Sequence, residues 1–231
     1  MIKISSYNIH KAVGLDRLCR PDRIIDVIEE IAPQIAILQE ADKRFRDRAT
    51  AVPLEALHNA GYHPVAFETR PDSIGWHGNA ILIQAGAGAR VRHHQLVPLP
   101  TLEPRGAVMA ELEIDGKMLR IVGMHLDLSG LWRRKQIRTI LQAVAARKAM
   151  PTIMAGDLNE WAPHGGCLPE IARDFRIAHS MPSFHSRRPV ARLDRIMVGP
   201  ELRLIASGTH NSSKAKRASD HLPVWAEVEF R

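Results

Sequence analysis

Hydrophobic residues along this chain come in short blocks broken by glycine, proline and polar runs, the pattern of a protein built largely from buried strands. Residues 2–9 set Ile2, Ile4, Ser6 and Asn8 against Lys3, Ser5, Tyr7 and Ile9, which predicts a strand delivering Asn8 to its carboxyl end. A polar loop follows, and Pro21 suits the first position of a helix. Ile24, Ile25, Val27, Ile28 and Ile31 give that helix an apolar face, and Pro33 ends it. Ile35 to Leu38 form a second buried strand, with Gln39 and Glu40 at its end. The pattern then predicts a helix over 51–60, stopped by Gly61, and strands over 62–67, 79–84, 91–97, 107–114 and 117–126. Residues 68–78 read as a loop carrying Trp76 and His77. Gly86-Ala87-Gly88 lacks the third glycine of a dinucleotide loop and reads as a turn. Asp115-Gly116 marks a hairpin turn. The longest helix is predicted over 129–148, with Leu131, Ile137, Ile140, Leu141 and Val144 as its stripe. Arg133, Arg134, Lys135 and Arg138 crowd its first half and read mostly as a solvated face. A short helix over 168–174 and strands over 193–198, 202–207 and 224–230 close the chain. The hairpins exclude a purely parallel doubly wound sheet. Two mixed sheets packed face to face, with helices outside, accommodate the order.

The run TIMAGDLNEW, 152–161, anchors the reading. Ile153, Met154 and Ala155 form a buried strand, Gly156 ends it, and Asp157 and Asn159 follow. If the backbone stays extended, these two side chains point the same way. A carboxylate there accepts a proton or binds a hard cation, and a carboxamide donates to an oxyanion. Gly, Asp and Asn also favour turns, so this stretch alone admits either reading. The ending recurs, however: Asn8, Glu40, His125 with Asp127, Asp194, and Asp220 with His221 all fall at strand ends or in loops leading into strands. Carboxylates gathered in a fold need a cation or hydrogen bonds to stay ionised. A hard divalent metal with oxygen ligands, Mg2+ or Mn2+, satisfies them.

Composition narrows the partners. The 231 residues fit one large domain or two small ones, and 45% hydrophobic content is ample for a core. Lys+Arg number 32 against 25 Asp+Glu, a formal charge of +7 that favours anionic partners: nucleic acid, anionic lipid headgroups or phosphorylated small molecules. Cys19 and Cys167 offer no C-x-x-C pair, so a cysteine zinc site is not indicated and a reducing compartment is the default. MIKISSYNIH lacks an apolar core of signal-peptide length, and no run approaches transmembrane length, so a cytoplasmic location is expected.

Seven pieces occur in order: YNIHK (7–11), LQEAD (38–42), HGNAIL (77–82), MHLDL (124–128), AGDLNEW (155–161), LDRIMV (193–198) and SDHLPV (219–224). Together they resemble the endonuclease/exonuclease/phosphatase superfamily, which includes DNase I-like nucleases, abasic-site endonucleases, neutral sphingomyelinases and inositol-polyphosphate 5-phosphatases. LDRI and NIHK fit a compact bacterial branch. The resemblance covers essentially the whole chain. It implies a single domain over 1–231 and an α/β fold, a four-layer α/β/β/α sandwich of two mixed β-sheets flanked by helices. It also implies a metal-dependent hydrolase of phosphate esters. By motif, Glu40 resembles the acidic metal ligand with Asn8 beside it, and Asp220 an acidic neighbour near metal or a second site. Asp157 and Asn159 resemble the pair that positions the nucleophile and stabilises the phosphorane-like transition state. Asp194 and His221 resemble an Asp–His dyad, and His125 a second histidine that hydrogen-bonds the phosphate. Asn79, within HGNAIL, is assigned to the substrate side. Asp127 occupies a position that varies across the superfamily.

Substrate preference must come from loops. Arg187, Arg188 and Arg192 lie in the loop 182–192 directly before Asp194, and Lys214, Lys216 and Arg217 in the loop 210–218 directly before Asp220. These six cations are the expected phosphate contacts, and Trp76 or Phe184 is a candidate for base stacking. A binuclear metallophosphoesterase is a poorer fit: the early motif is Asn8-Ile9-His10, and Gly78-Asn79 is followed by Ala80. A non-catalytic anion-binding scaffold would be expected to have lost some of Glu40, Asp157, Asn159, Asp194 or His221. Nucleic-acid phosphodiesterase is the leading reading, with a phospholipid or inositol-phosphate hydrolase as the alternative.

Overall fold

The computed structural model describes residues 1–42, 49–67 and 73–231. Among the described residues, twelve strands form two mixed sheets of six. The first sheet holds β1 (Ile2–Asn8), β2 (Ile35–Gln39), β3 (Tyr62–Pro64), β4 (Ala80–Gln84), β11 (Leu202–Thr209) and β12 (Val224–Phe230), in the order β11-β12-β1-β2-β4-β3. The second holds β5 (Ala89–Pro98), β6 (Gly106–Ile114), β7 (Lys117–His125), β8 (Thr152–Asp157), β9 (Arg176–Ile177) and β10 (Asp194–Val198), in the order β5-β6-β7-β8-β10-β9. Each mixes parallel and antiparallel pairs: β1 runs parallel to β2 and antiparallel to β12, and β8 parallel to β7 and antiparallel to β10.

Neighbouring residues on a strand point to opposite faces, and here both faces of the central strands are covered. Ile4, Ile37, Ile81, Val108, Ile121, Ile153 and Ile196 meet between the sheets. Ala36, Leu38 and Leu82 face outward against helices α1 (Pro21–Ile31) and α2 (Leu54–Asn59). Val122, Met124 and Met154 face outward on the second sheet against α3 (Gly130–Ala145) and α4 (Leu168–Ile171). Three apolar layers therefore separate four layers of structure, the expected α/β/β/α sandwich. Covering both faces is also why the strands read as continuous apolar runs such as IAIL.

Several expected bounds shift. The helix of 51–60 contracts to Leu54–Asn59 and the strand of 62–67 to Tyr62–Pro64. The long helix ends at Ala145 rather than 148. Part of the predicted loop 68–78 lies outside the described residues. The loop 210–218 contains a short helix, α5 (Ser213–Ala218), capped by the Ser212 hydroxyl, which accepts from Ala215 N at 3.0 Å. Arg133 is not a solvated charge. It is 8% exposed and its guanidinium donates to Glu160 at 3.2 and 3.4 Å. Both cysteines are free.

Candidate active site

Strand register brings the central polar residues abreast. His125 is the β7 partner of Asp157 on β8, and Asp194 is its β10 partner. Asn8 ends β1 in the opposing sheet, and Asp220 and His221 immediately precede the turn into β12. One carboxylate oxygen is the point of convergence. Asp157 Oδ2 accepts from Asn8 Nδ2 at 3.0 Å and lies 3.4 Å from His125 Nε2 and 3.8 Å from His221 Nε2. Asn8, His125, Asp157, Asp194 and His221 are each at most 5% exposed. Their polar atoms hold to one another rather than to bulk water, the condition under which such contacts are strongest.

Asn159 departs from the extended reading. Its backbone is left-handed, φ 49°, so the chain turns two residues after β8 begins to end. Asn159 N donates to Asp157 Oδ1 at 2.9 Å and its Nδ2 donates to Leu126 O at 2.9 Å. The turn that Asp and Asn favour and the proposed site thus coexist: the Asn side chain closes the turn onto β7, and its amide fixes the second oxygen of Asp157.

His221 Nδ1 is 2.8 Å from Asp194 Oδ2, which also accepts from Ser183 Oγ at 2.6 Å. Asp194 Oδ1 is buried and has no hydrogen-bond partner among the described residues. Burial opposes charging of the His221 ring, but the charge and hydrogen bond of Asp194, with the charges of Asp157 and Asp220, outweigh it and push its pKa from 6.5 up to about 10. A group whose pKa is raised on folding stabilises fully below its unfolded value and loses that contribution as pH rises through the folded one. The metal-free protein is therefore expected to lose stability between pH 6.5 and about 10. The loss is at most roughly 1.4 kcal/mol per pH unit. Urea unfolding across that range, on wild type and on Asp194→Asn, measures it: the variant should flatten the slope, and a wild-type slope of zero contradicts the assignment.

His125 is held from the other side by Arg105. The guanidinium Nη1 lies 2.8 Å from Nδ1 and 2.7 Å from Nε2. A guanidinium offers only protons, so in this contact a ring nitrogen is the acceptor. Arg105 is 7% exposed and sits in the approach to β6. Ser219 Oγ donates to Asn8 O at 2.8 Å and accepts from His221 N at 3.2 Å, fastening the loop before β12 to the end of β1. Sequence reasoning missed Ser183, Arg105 and Ser219. Ser219 stood in the SDHLPV motif beside the assigned pair; the other two carry no local signal.

The remaining expected residues have other partners. Glu40 follows β2 in left-handed backbone, φ 54°, and its carboxylate receives the Lys11 ammonium. Asp220 Oδ1 is 3.9 Å from His10 Nδ1 and 3.3 Å from Ser219 Oγ. Asn79 is fully buried and its Nδ2 donates to Gly106 O at 2.9 Å, so it ties the start of β4 to β6. Asp127 Oδ1 accepts from Ser129 N at 2.9 Å, next to the start of α3. Arg187 and Arg188 are exposed and Arg192 half-buried. Their loop docks on the dyad: Ser186 N donates to Asp220 O at 2.7 Å and Leu222 N to Ser183 O at 2.8 Å. Phe184 packs 4.9 Å from the His221 ring, centroid to centroid, with Trp161 edge-on at 5.9 Å. Lys214 turns toward α1, 3.7 Å from Asp26 and 3.8 Å from Glu30, while Arg217 is exposed and Lys216 half-buried. Trp76 packs against the inter-sheet core.

Asp157, Asp194 and His221 form a buried group whose ligand atoms lie within 4.8 Å of one another, a set that could hold a metal. A cation among all three would compete with the His221–Asp194 hydrogen bond, which leaves the Asp157 carboxylate as the better donor of the three. Hard oxygen donors of this kind fit a divalent cation.

The endonuclease/exonuclease/phosphatase family profile matches residues 5–221. The chain belongs to that family. It is a family of phosphoesterase hydrolases. No curated protein matches the sequence. Among solved structures, the human Nocturnin catalytic domain with bound sulfate is 21% identical, with a TM-score of 0.76 over 100% of this chain and 93% of that one. D. rerio TDP2 complexed with single-strand DNA product is 17% identical, TM-score 0.74, over 99% and 98%. The mannosyl-6-phosphatase of Bacteroides thetaiotaomicron is 16% identical, TM-score 0.74, over the full length of both. At these identities the likeness is one of fold. No helix among the described residues is long and apolar enough to cross a membrane.

Proposed function

We propose that this family member is a metal-dependent phosphodiesterase that hydrolyses nucleic-acid phosphodiester bonds. The observation that carries the hydrolytic reading is the ring of Asn8, His125 and His221 nitrogens about Asp157 Oδ2. A buried carboxylate flanked by two imidazoles, one of them readily protonated, can orient a water and hold a proton within reach of it. Asp194 fixes the His221 ring through Nδ1, leaving Nε2 toward the reacting centre. With its pKa raised, His221 donates at neutral pH, which suits a proton given to the phosphate or leaving oxygen. His125, held by Arg105, and Asn159 would supply hydrogen bonds to nonbridging oxygens as charge develops. Glu40, Asn8 and Asp220, with the Asp157 carboxylate, are the proposed holders of Mg2+ or Mn2+. Such a cation supplies charge neutralisation of the phosphate.

The nucleic-acid choice rests on the loop 182–192. It carries Arg187 and Arg188 into solvent while its own backbone is bonded to the His221 segment, and it sets Phe184 beside His221 with Trp161 edge-on to Phe184. Exposed cations track a phosphate backbone and aromatic edges tolerate any base. Lys214, engaged with Asp26 and Glu30, contributes less to this rim than Arg217. A solved relative holds a single-strand DNA product, in keeping with this reading, and another is a mannosyl-6-phosphatase, which makes small phosphate esters the necessary comparison.

The experiment is a substrate panel with Mg2+ and Mn2+: duplex and single-strand DNA, RNA, abasic DNA, sphingomyelin, phosphoinositides and sugar phosphates. Cleavage of DNA or RNA is expected. The double variant Arg187→Gln/Arg188→Gln should weaken binding across sequences and shallow the log K against log salt slope by about 1–2. It should spare turnover of bis(p-nitrophenyl) phosphate. Cleavage of a lipid, inositol or sugar phosphate with none of DNA or RNA refutes the nucleic-acid reading.

A further inference from the structure

Three successive non-glycine residues, His10, Lys11 and Ala12, take left-handed backbone, with φ of 45°, 56° and 59°. L-residues disfavour that region, and a run of them persists only when the surroundings fix it. Here the turn is pinned by its own hydrogen bonds. Lys11 N donates to Glu40 O at 3.2 Å, Ala12 N to Ile9 O at 2.8 Å, and Arg20 N to Ala12 O at 2.8 Å. The result of the turn is that the Lys11 side chain is delivered onto the Glu40 carboxylate, where its ammonium pairs with Oε2. The Lys11 side chain is 27% exposed and that of Glu40 13%, so the pair is partly open to solvent, with a way out for the lysine.

We propose that Lys11 is a resident counter-ion of Glu40 that a divalent cation displaces, so that Lys11 sets the metal affinity of the site. The inference rests on the assignment of Glu40 to the metal. An ammonium a few ångströms from an incoming divalent cation repels it, and at a protein surface that repulsion is substantial. In the metal-free protein the same ammonium offsets part of the charge of a largely buried carboxylate. Displacement costs little else. The backbone bond from Lys11 N to Glu40 O keeps the turn in place, and the ammonium rides on a flexible four-carbon stem. Removing the charge therefore has two effects of opposite sign: tighter metal binding and a less stable metal-free protein.

The test uses the full chain stripped with chelator. Titration calorimetry with Mn2+ gives Kd, and thermal unfolding with and without Mn2+ gives Tm. Lys11→Met is expected to lower Kd at least tenfold, to lower the metal-free Tm, and to enlarge the rise in Tm that Mn2+ produces. Lys11→Gln keeps a donor of similar length without the charge. It should also bind Mn2+ more tightly, which guards against a Lys11→Met variant that disturbs the turn. In a Glu40→Gln background, Lys11→Met should change Kd less than twofold, because the two act on one another. Weaker Mn2+ binding by Glu40→Gln with unchanged or weaker binding by both Lys11 variants overturns the counter-ion proposal alone. An unchanged Kd for Glu40→Gln overturns the assignment of Glu40 to the metal, and this inference with it.

Discussion

Asp194→Asn and His221→Ala are each expected to lower kcat on the preferred substrate by about 10³-fold, within the range that a positioned acid–base group supplies. The double variant should lose little beyond either single one. The reason is geometric. His221 Nδ1 sits 2.8 Å from Asp194 Oδ2, and Asp194 has no exposure through which water could replace the imidazole. Removing the carboxylate frees the ring to rotate and removes the largest favourable cause of its raised pKa, so the same proton is lost from the same place. Removing the ring leaves Asp194 bonded to Ser183 with nothing to orient. Residues that act as one unit give strongly non-additive losses. A double-mutant cycle on single-turnover rates measures the coupling. Losses that multiply independently would sink the dyad, and would leave Asp157 as the acid–base group by itself.

The layers of the fold were legible because both faces of the central strands are covered. Ile35 to Leu38 and Ile153 to Ala155 are apolar at every position, which marks a buried strand without saying which neighbour it pairs with. The polar residues that end these runs marked the site for the same reason: Asp157 and Glu40 stand out only against apolar strands. What stayed hidden depends on long-range partners. Arg133 reads as one of four cations on a helix until Glu160, 27 residues away, is seen to bury it. Arg105 reaches His125 across 20 residues, and Ser183 reaches Asp194 across 11, with no periodicity to announce either. The segment 210–218 reads as a loop in the sequence because only Ala215 and Ala218 of α5 are buried, too small an apolar stripe for a helix signal. Its Ser212 cap was the readable clue. Lys214 then illustrates why nearness in sequence to Asp220 does not place a cation at the site: the helix points it at Asp26 and Glu30 instead.

Gly156→Ala is expected to be the most damaging small substitution in the protein. A Cβ at this position would lie 1.8 Å from Met124 O and 2.8 Å from Met124 C, both backbone atoms of the paired strand β7. The residue also has φ 157°, at the margin of the region that side chains tolerate. Neither strand can yield cheaply. Met124 pairs with Gly156 in the β7–β8 ladder, and the next rung pairs His125 with Asp157. Relieving the clash therefore moves Asp157 away from Asn8 Nδ2 and from both histidines, the contacts that define the centre. The expected loss of stability is about 3–5 kcal/mol, the size reserved for backbone strain and packing failure at a buried position. The folded fraction that remains should also lose kcat, because the displaced carboxylate is the one on which the acid–base groups converge. Gly86→Ala is the control. A Cβ there meets nothing within 4 Å, and its stability change should fall within about 0.5 kcal/mol. Urea unfolding of both variants, with single-turnover assays on the soluble fraction, decides the matter. A Gly156→Ala protein as stable and as active as wild type would mean that β8 does not meet β7 in this register, and that the Asp157 centre is misplaced.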